Sequence, residues 1–113
     1  MFKFRNFVII IYYLIINNCI ADNDKLVLKE VSKNLWIYNA SNESPNKFNN
    51  GLIANVTAII GEKYTLVYDT GPSKQFAENF INQIKSISNN PIKYLIISHR
   101  HFDHAYGIEA FIK

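Results

Sequence analysis

The sequence predicts an α/β unit in which a β-rich first half feeds a strand–helix–strand crossover. Three observations carry that expectation. Short runs rich in β-branched and aromatic residues succeed one another as far as Tyr68. Phe76, Phe80, Ile84 and Ile87 then recur at helical spacing, and a continuous apolar run occupies residues 92–97.

Residues 26–30 and 35–38 read as short strands joined through Ser32-Lys33-Asn34, a first hairpin. Residues 39–51 hold five asparagines, two serines and Pro45 with no apolar period, and are expected to form a loop. Residues 52–60 and 64–68 make a second strand pair about the glycine-containing turn Gly61-Glu62-Lys63. Asp69-Thr70-Gly71-Pro72 ends the last of these strands, since glycine permits an unusual backbone angle and proline suits a first helical turn. From Ser73 the stripe Phe76, Phe80, Ile81, Ile84 and Ile87 should face a core, with Lys74, Glu78, Asn82 and Lys85 facing away. Ser88-Asn89-Asn90-Pro91 stops that helix, the strand over 92–97 rejoins the sheet, and a further helix is expected from near Gly107. A right-handed crossover sets Asp69 and His99 at the carboxyl ends of the strands, where ligand sites in such sheets gather.

All three histidines of the chain fall within Ser98-His99-Arg100-His101-Phe102-Asp103-His104. If residues 94–99 are extended, His99 and His101 at i and i+2 point the same way and can hold one ion. A turn beyond them lets Asp103 and His104 swing toward a second ion beside the first. Imidazole with carboxylate suits zinc and also admits manganese or iron. The plain alternative is surface histidines in a polar loop. Their clustering at regular offsets directly after a buried-type strand weighs against it.

The pattern His99-x-His101-x-Asp103-His104, with Ser98 before it and Gly107 after it, resembles the His-x-His-x-Asp-His signature of the metallo-β-lactamase superfamily. Asp69-Thr70-Gly71 is similar to the Asp-Thr-Gly turn that such proteins carry after an earlier strand. Asn50-Gly51-Leu52-Ile53-Ala54-Asn55 and Pro91-Ile92-Lys93-Tyr94 resemble the periplasmic zinc metallohydrolases associated with quinoprotein relay and sulfur oxidation. Ser98 stands where threonine is commoner and Tyr106 where a smaller residue is frequent, and neither departure removes a ligand. The resemblance implies the N-terminal half of a four-layer αββα sandwich, with one or two zinc ions held by His99, His101, Asp103 and His104. It also implies a metal-bound hydroxide attacking the carbonyl of a small-molecule ester, thioester, amide or lactam, with the metals stabilising the oxyanion. In that chemistry Asp103 is both ligand and catalytic residue, orienting or deprotonating the water. Asp69 would hold a ligand loop by hydrogen bonds or, alternatively, cap the strand-to-helix turn. Arg100 either draws in an anionic substrate or is a solvated loop charge. The 39–51 loop is either a surface connection or, as in the family, a wall near the active-site mouth.

At the N-terminus, Lys3 and Arg5 precede ten apolar or aromatic residues, 7–16, and Ala21 comes before a polar start at Asp22. This reads as a secretory signal over residues 1–21, followed by a partial metallo-β-lactamase-like domain over 22–113 and a periplasmic or secreted location. An uncleaved membrane anchor is the main alternative, although a span wants about 20 apolar residues. Cys19 is the only cysteine, so no disulfide framework is expected. Removal of Lys3 and Arg5 leaves ten basic against nine acidic residues, a net charge of +1, which is no electrostatic footprint for nucleic acid. With 49% hydrophobic and 14% aromatic residues the remainder should fold rather than stay disordered.

The superfamily draws further metal ligands from sequence beyond this motif, whereas Lys113 lies only nine residues past His104. The resemblance therefore implies that these residues alone do not make a working two-metal enzyme. A truncated or split product is the favoured explanation. Completion by a second chain or by self-association, and a non-catalytic metal-binding module, are the others. Each leaves an apolar inner sheet face to be covered.

Overall fold

The computed structural model describes residues 26–112, so the expected signal segment lies outside the described residues. One five-stranded sheet runs in chain order: β1 (Lys29–Ser32), β2 (Leu35–Tyr38), β3 (Val56–Ile60), β4 (Thr65–Tyr68) and β5 (Ile92–Ile96). The first four strands pair antiparallel, and β5 lies parallel to β4. A parallel pair needs a crossover, which α1 (Lys74–Ile87) supplies.

The helix forms where its pattern placed it. Ser73 is the N-cap, its Oγ accepting from the Phe76 N–H at 3.2 Å, so Pro72 sits before the cap instead of inside the first turn. Phe76, Phe80 and Ile84 are buried against Leu28, Val56, Ala58 and Val67, while Lys74, Glu78, Asn82 and Lys85 are exposed. Phe76 stacks on Phe80 at 6.1 Å between ring centroids, and Tyr38 meets Phe76 edge-on at 5.1 Å. The opposite sheet face carries Ile59, Tyr68, Tyr94 and Ile96, all substantially exposed. Among the described residues no helix is long and apolar enough to cross a membrane.

Several boundaries differ from the sequence expectation. β1 starts at Lys29 and reaches Ser32, leaving only Lys33 and Asn34 for the turn. Asn34 takes the left-handed φ of 64° that so tight a reversal requires, and its N–H donates to Glu30 Oε1 at 3.0 Å. Residues 52–55 do not join β3. The Leu52 N–H donates to the Asn49 carbonyl at 2.8 Å and the Ile53 N–H to Gly51 at 3.0 Å, so these groups are spent in a local turn. Pairing of β3 with β2 begins at Val56 opposite Tyr38, the last residue β2 offers. The expected helix near Gly107 is instead a short α2 (Phe102–Ala105) and a 3₁₀ turn (Ile108–Phe111), with Gly107 between them. Lys74 Nζ bonds Glu109 Oε1 at 2.8 Å, joining α1 to that 3₁₀ turn and raising the lysine pKa. Both side chains are solvated, so the pair adds little stability.

Candidate metal centre

Because β4 and β5 run parallel, their carboxyl ends open on one edge of the sheet. The Asp69 N–H donates to the Ile96 carbonyl at 2.8 Å, carrying the ladder just beyond both strands. Asp69 then turns left-handed, with φ 64°, a conformation aspartate tolerates better than most residues. This turn aims its carboxylate across at the chain leaving β5. Oδ1 accepts from the Ser98 N–H at 2.7 Å, and Oδ2 accepts from Ser98 Oγ at 2.9 Å and His104 Nδ1 at 2.7 Å. At 2% exposure the carboxylate depends on these partners, since burial without them would be costly. The alternative of Asp69 as helix cap is thereby corrected: Ser73 caps α1, and Asp69 faces the histidines.

A four-residue helix has no stability of its own, and α2 is held from outside. The Thr70 N–H and Oγ1 both donate to the His104 carbonyl, at 2.8 and 3.0 Å, and the Gly107 N–H donates to the Gly71 carbonyl at 3.1 Å. The Asp-Thr-Gly turn thus grips the helix that carries Asp103 and His104. Gly107 permits the close approach, since a β-carbon there would run into the Thr70 carbonyl oxygen and Ala77.

The motif side chains gather in two pairs. His99 Nε2 lies 3.0 Å from His101 Nδ1, and Asp103 Oδ2 lies 3.2 Å from His104 Nε2. The His99 ring is 4.1 Å from that of His104, so the pairs adjoin. β5 ends at Ile96, so the common direction of His99 and His101 comes from extended backbone beyond the strand, with His101 at φ −63° and ψ 147°, not from the sheet pleat. Two nitrogens on one tetrahedral zinc stand about 3.4 Å apart, given bond lengths of about 2.0–2.1 Å. The first pair is close to that separation, and three imidazoles with a carboxylate are a suitable donor set, so the residues fit a divalent ion. Among the described residues no group of three or more His, Cys, Asp or Glu is arranged to hold one ion, so the donors present two pairs and not a closed cage.

Two contributors escaped the sequence reading. Ser98 Oγ stands 2.9 Å from both Asp69 Oδ2 and His99 Nδ1, bridging the buried acid to the first histidine. Thr70 fixes the carbonyl of a histidine 34 positions away. The Asp-Thr-Gly and Ser-His strings were visible, but nothing local in them indicates a partner so far along the chain. Arg100 is exposed. The asparagine-rich loop folds on itself, Asn46 Oδ1 accepting from the Phe48 N–H at 2.8 Å and Asn49 Oδ1 from the Gly51 N–H at 3.0 Å. Gly51, at its end, rests against the Phe102 ring inside the motif.

Comparison with known proteins agrees with this geometry. The chain resembles a metallo-β-lactamase from Hirschia baltica at 17% identity, with a TM-score of 0.61 over 75% of this chain and 38% of that one. It also resembles the metallo-β-lactamase FIM-1 from Pseudomonas aeruginosa, crystallised in a mono-zinc form, at 15% identity and a TM-score of 0.61 over 75% of this chain and 37% of that one. The chain therefore spans less than two fifths of the length of these solved structures. No curated protein sequence matches it. The model of the metallo-beta-lactamase superfamily matches residues 49–113, which is more than half of the chain and includes every donor described above, and the chain belongs to that superfamily.

Proposed function

We propose that the chain carries the first ligand set of a zinc-dependent hydrolase acting on a carbonyl-type bond of a small molecule. The observation supporting it is the pairing of donors, His99 Nε2 with His101 Nδ1 at 3.0 Å and Asp103 Oδ2 with His104 Nε2 at 3.2 Å. His99 and His101 would hold one ion, Asp103 and His104 a neighbouring one. Bound zinc would supply a nucleophile at neutral pH and positive charge against a developing oxyanion. Asp103 would orient or deprotonate the attacking water through its carboxylate. Asp69 holds His104 and the Ser98 backbone in place. The narrower likeness to quinoprotein-relay metallohydrolases favours a small periplasmic metabolite over a β-lactam as substrate. Export through residues 1–21 accords with that location, and N-terminal sequencing of secreted material should then begin at Asp22.

A metal-binding module without turnover is the second reading. It is favoured by the two-ligand pairs, because a catalytic zinc usually has three protein ligands. Zinc-loaded chain assayed on lactam, thioester and phosphodiester panels separates the readings. Thioester or lactam hydrolysis supports the hydrolase, metal uptake without turnover supports the module, and phosphodiester cleavage alone would defeat the carbonyl assignment.

A further inference from the structure

We propose that Asn50-Gly51 is a self-modification site, at which Asn50 converts spontaneously to aspartate and isoaspartate at a rate governed by the side chain of Asn49. Among the asparagines of the chain only Asn50 precedes a glycine. Gly51 has no β-carbon to shield its backbone nitrogen, so that nitrogen can approach the side-chain carbonyl carbon of Asn50. Asn50 is exposed at the end of the asparagine-rich loop, and among the described residues its side-chain amide has no hydrogen-bond partner to hold it away.

The reaction needs water and no other reagent. The Gly51 nitrogen gives its proton to solvent base and attacks Asn50 Cγ. The N–Cγ bond forms, the Cγ–Nδ2 bond breaks, and Nδ2 leaves as ammonia with a proton returned by solvent. Water then opens the five-membered succinimide. Addition at Cγ restores the ordinary backbone with an aspartate side chain. Addition at the backbone carbonyl carbon routes the chain through Cγ, an isoaspartyl link one atom longer. Nothing is oxidised or reduced: an amide nitrogen is exchanged for oxygen, and a neutral group becomes an anion.

The turn holds this reaction back. The Gly51 N–H donates to Asn49 Oδ1 at 3.0 Å, and Asn49 is itself fastened, its Nδ2 donating to the Ser44 carbonyl at 3.0 Å and its N–H to Asn46 Oδ1 at 3.1 Å. Asn50 and Gly51 both take left-handed φ values, 49° and 76°. Ring closure turns the Asn50–Gly51 peptide toward Cγ and frees its N–H from Asn49, so the barrier includes the loss of that bond. Gly51 rests against Phe102, so the lengthened link falls where the loop meets the histidine motif.

The test incubates the full chain in mildly alkaline buffer and maps the tryptic peptide spanning residues 48–63, which holds Asn49, Asn50 and Asn55. Conversion is read as the asparagine-to-aspartate mass change and as enzymatic methylation of isoaspartyl carboxylates. Asn50 should convert before any other asparagine. Asn49→Ala should speed its conversion about 2- to 10-fold, the factor that one hydrogen bond of ordinary net strength carries. Asn49→Asp keeps an acceptor for the Gly51 N–H but loses the donor to Ser44, and should stay near the unaltered rate. In urea the unaltered chain and Asn49→Ala should convert alike. Earlier conversion at another asparagine would overturn the proposal without need of any variant. Equal native rates in the unaltered chain and Asn49→Ala would also overturn it, as would an Asn49→Asp chain as fast as Asn49→Ala, since that marks a loosened loop and not the loss of one bond.

Discussion

Replacing Gly107 with alanine tests how the site is held together. The added methyl would meet the Thr70 carbonyl oxygen, the Ala77 β-carbon at 2.7 Å and the Ser73 carbonyl at 3.0 Å, and two of those neighbours are backbone. If the surroundings hold, the cost is that of overpacking, about 1–3 kcal/mol. If α2 moves away, it loses the Gly107 N–H to Gly71 bond at 3.1 Å and the Thr70 bonds to the His104 carbonyl at 2.8 and 3.0 Å. At about 0.5–1.5 kcal/mol net for each bond, that route costs a similar amount. Urea denaturation should therefore place Gly107→Ala about 1–4 kcal/mol below the unaltered chain with its m-value unchanged. Asp103 and His104 sit on the displaced helix, so cobalt(II) binding should weaken too. A shift within about 0.5 kcal/mol, the range of ordinary surface substitutions, would refute the claim that the Asp-Thr-Gly turn clamps α2 through this contact.

Other consequences are as direct. Phe80, fully buried between α1 and the sheet, should cost about 3–5 kcal/mol on replacement by alanine, read from the same denaturation curves. Asp69→Ala strands the Ser98 N–H, the Ser98 hydroxyl and His104 Nδ1, and should destabilise by about 3–5 kcal/mol, whereas a loss below about 1 kcal/mol would mean the carboxylate is not the hub of this network. Glu109 raises the Lys74 pKa, so any contribution of that pair is present at neutral pH and fades as pH climbs past the ordinary lysine value of 10.5. Both groups are solvated, and Lys74→Ala should leave the denaturation midpoint at pH 7 unmoved within error.

The crossover was legible because its signals are local and repeated. Phe76, Phe80 and Ile84 mark one face of a helix, and the sheet buries that face. Clustering of the histidines was legible for a similar reason, since sequence proximity alone keeps them together. What could not be read depends on partners distant in the chain. Residues 52–55 are as apolar as a strand needs, yet β2 is too short to pair with them. The segment near Gly107 was expected to open a helix, but its approach to Thr70 and Ala77 divides it into α2 and a 3₁₀ turn. Asp69 offered two roles on paper. Only the left-handed turn after β4 directs its carboxylate to residues 98 and 104 and leaves helix capping to Ser73.

The central claim is that the two donor pairs bind a divalent ion, and equilibrium titration of the full chain with cobalt(II) tests it most directly. The account predicts saturable uptake with the visible absorption of a nitrogen- and oxygen-ligated ion. That uptake should weaken in His104→Ala, and the ion held by His99 and His101 should be lost when both are replaced by alanine. Uptake that the double variant leaves unchanged, or no saturable uptake by the unaltered chain, would contradict it.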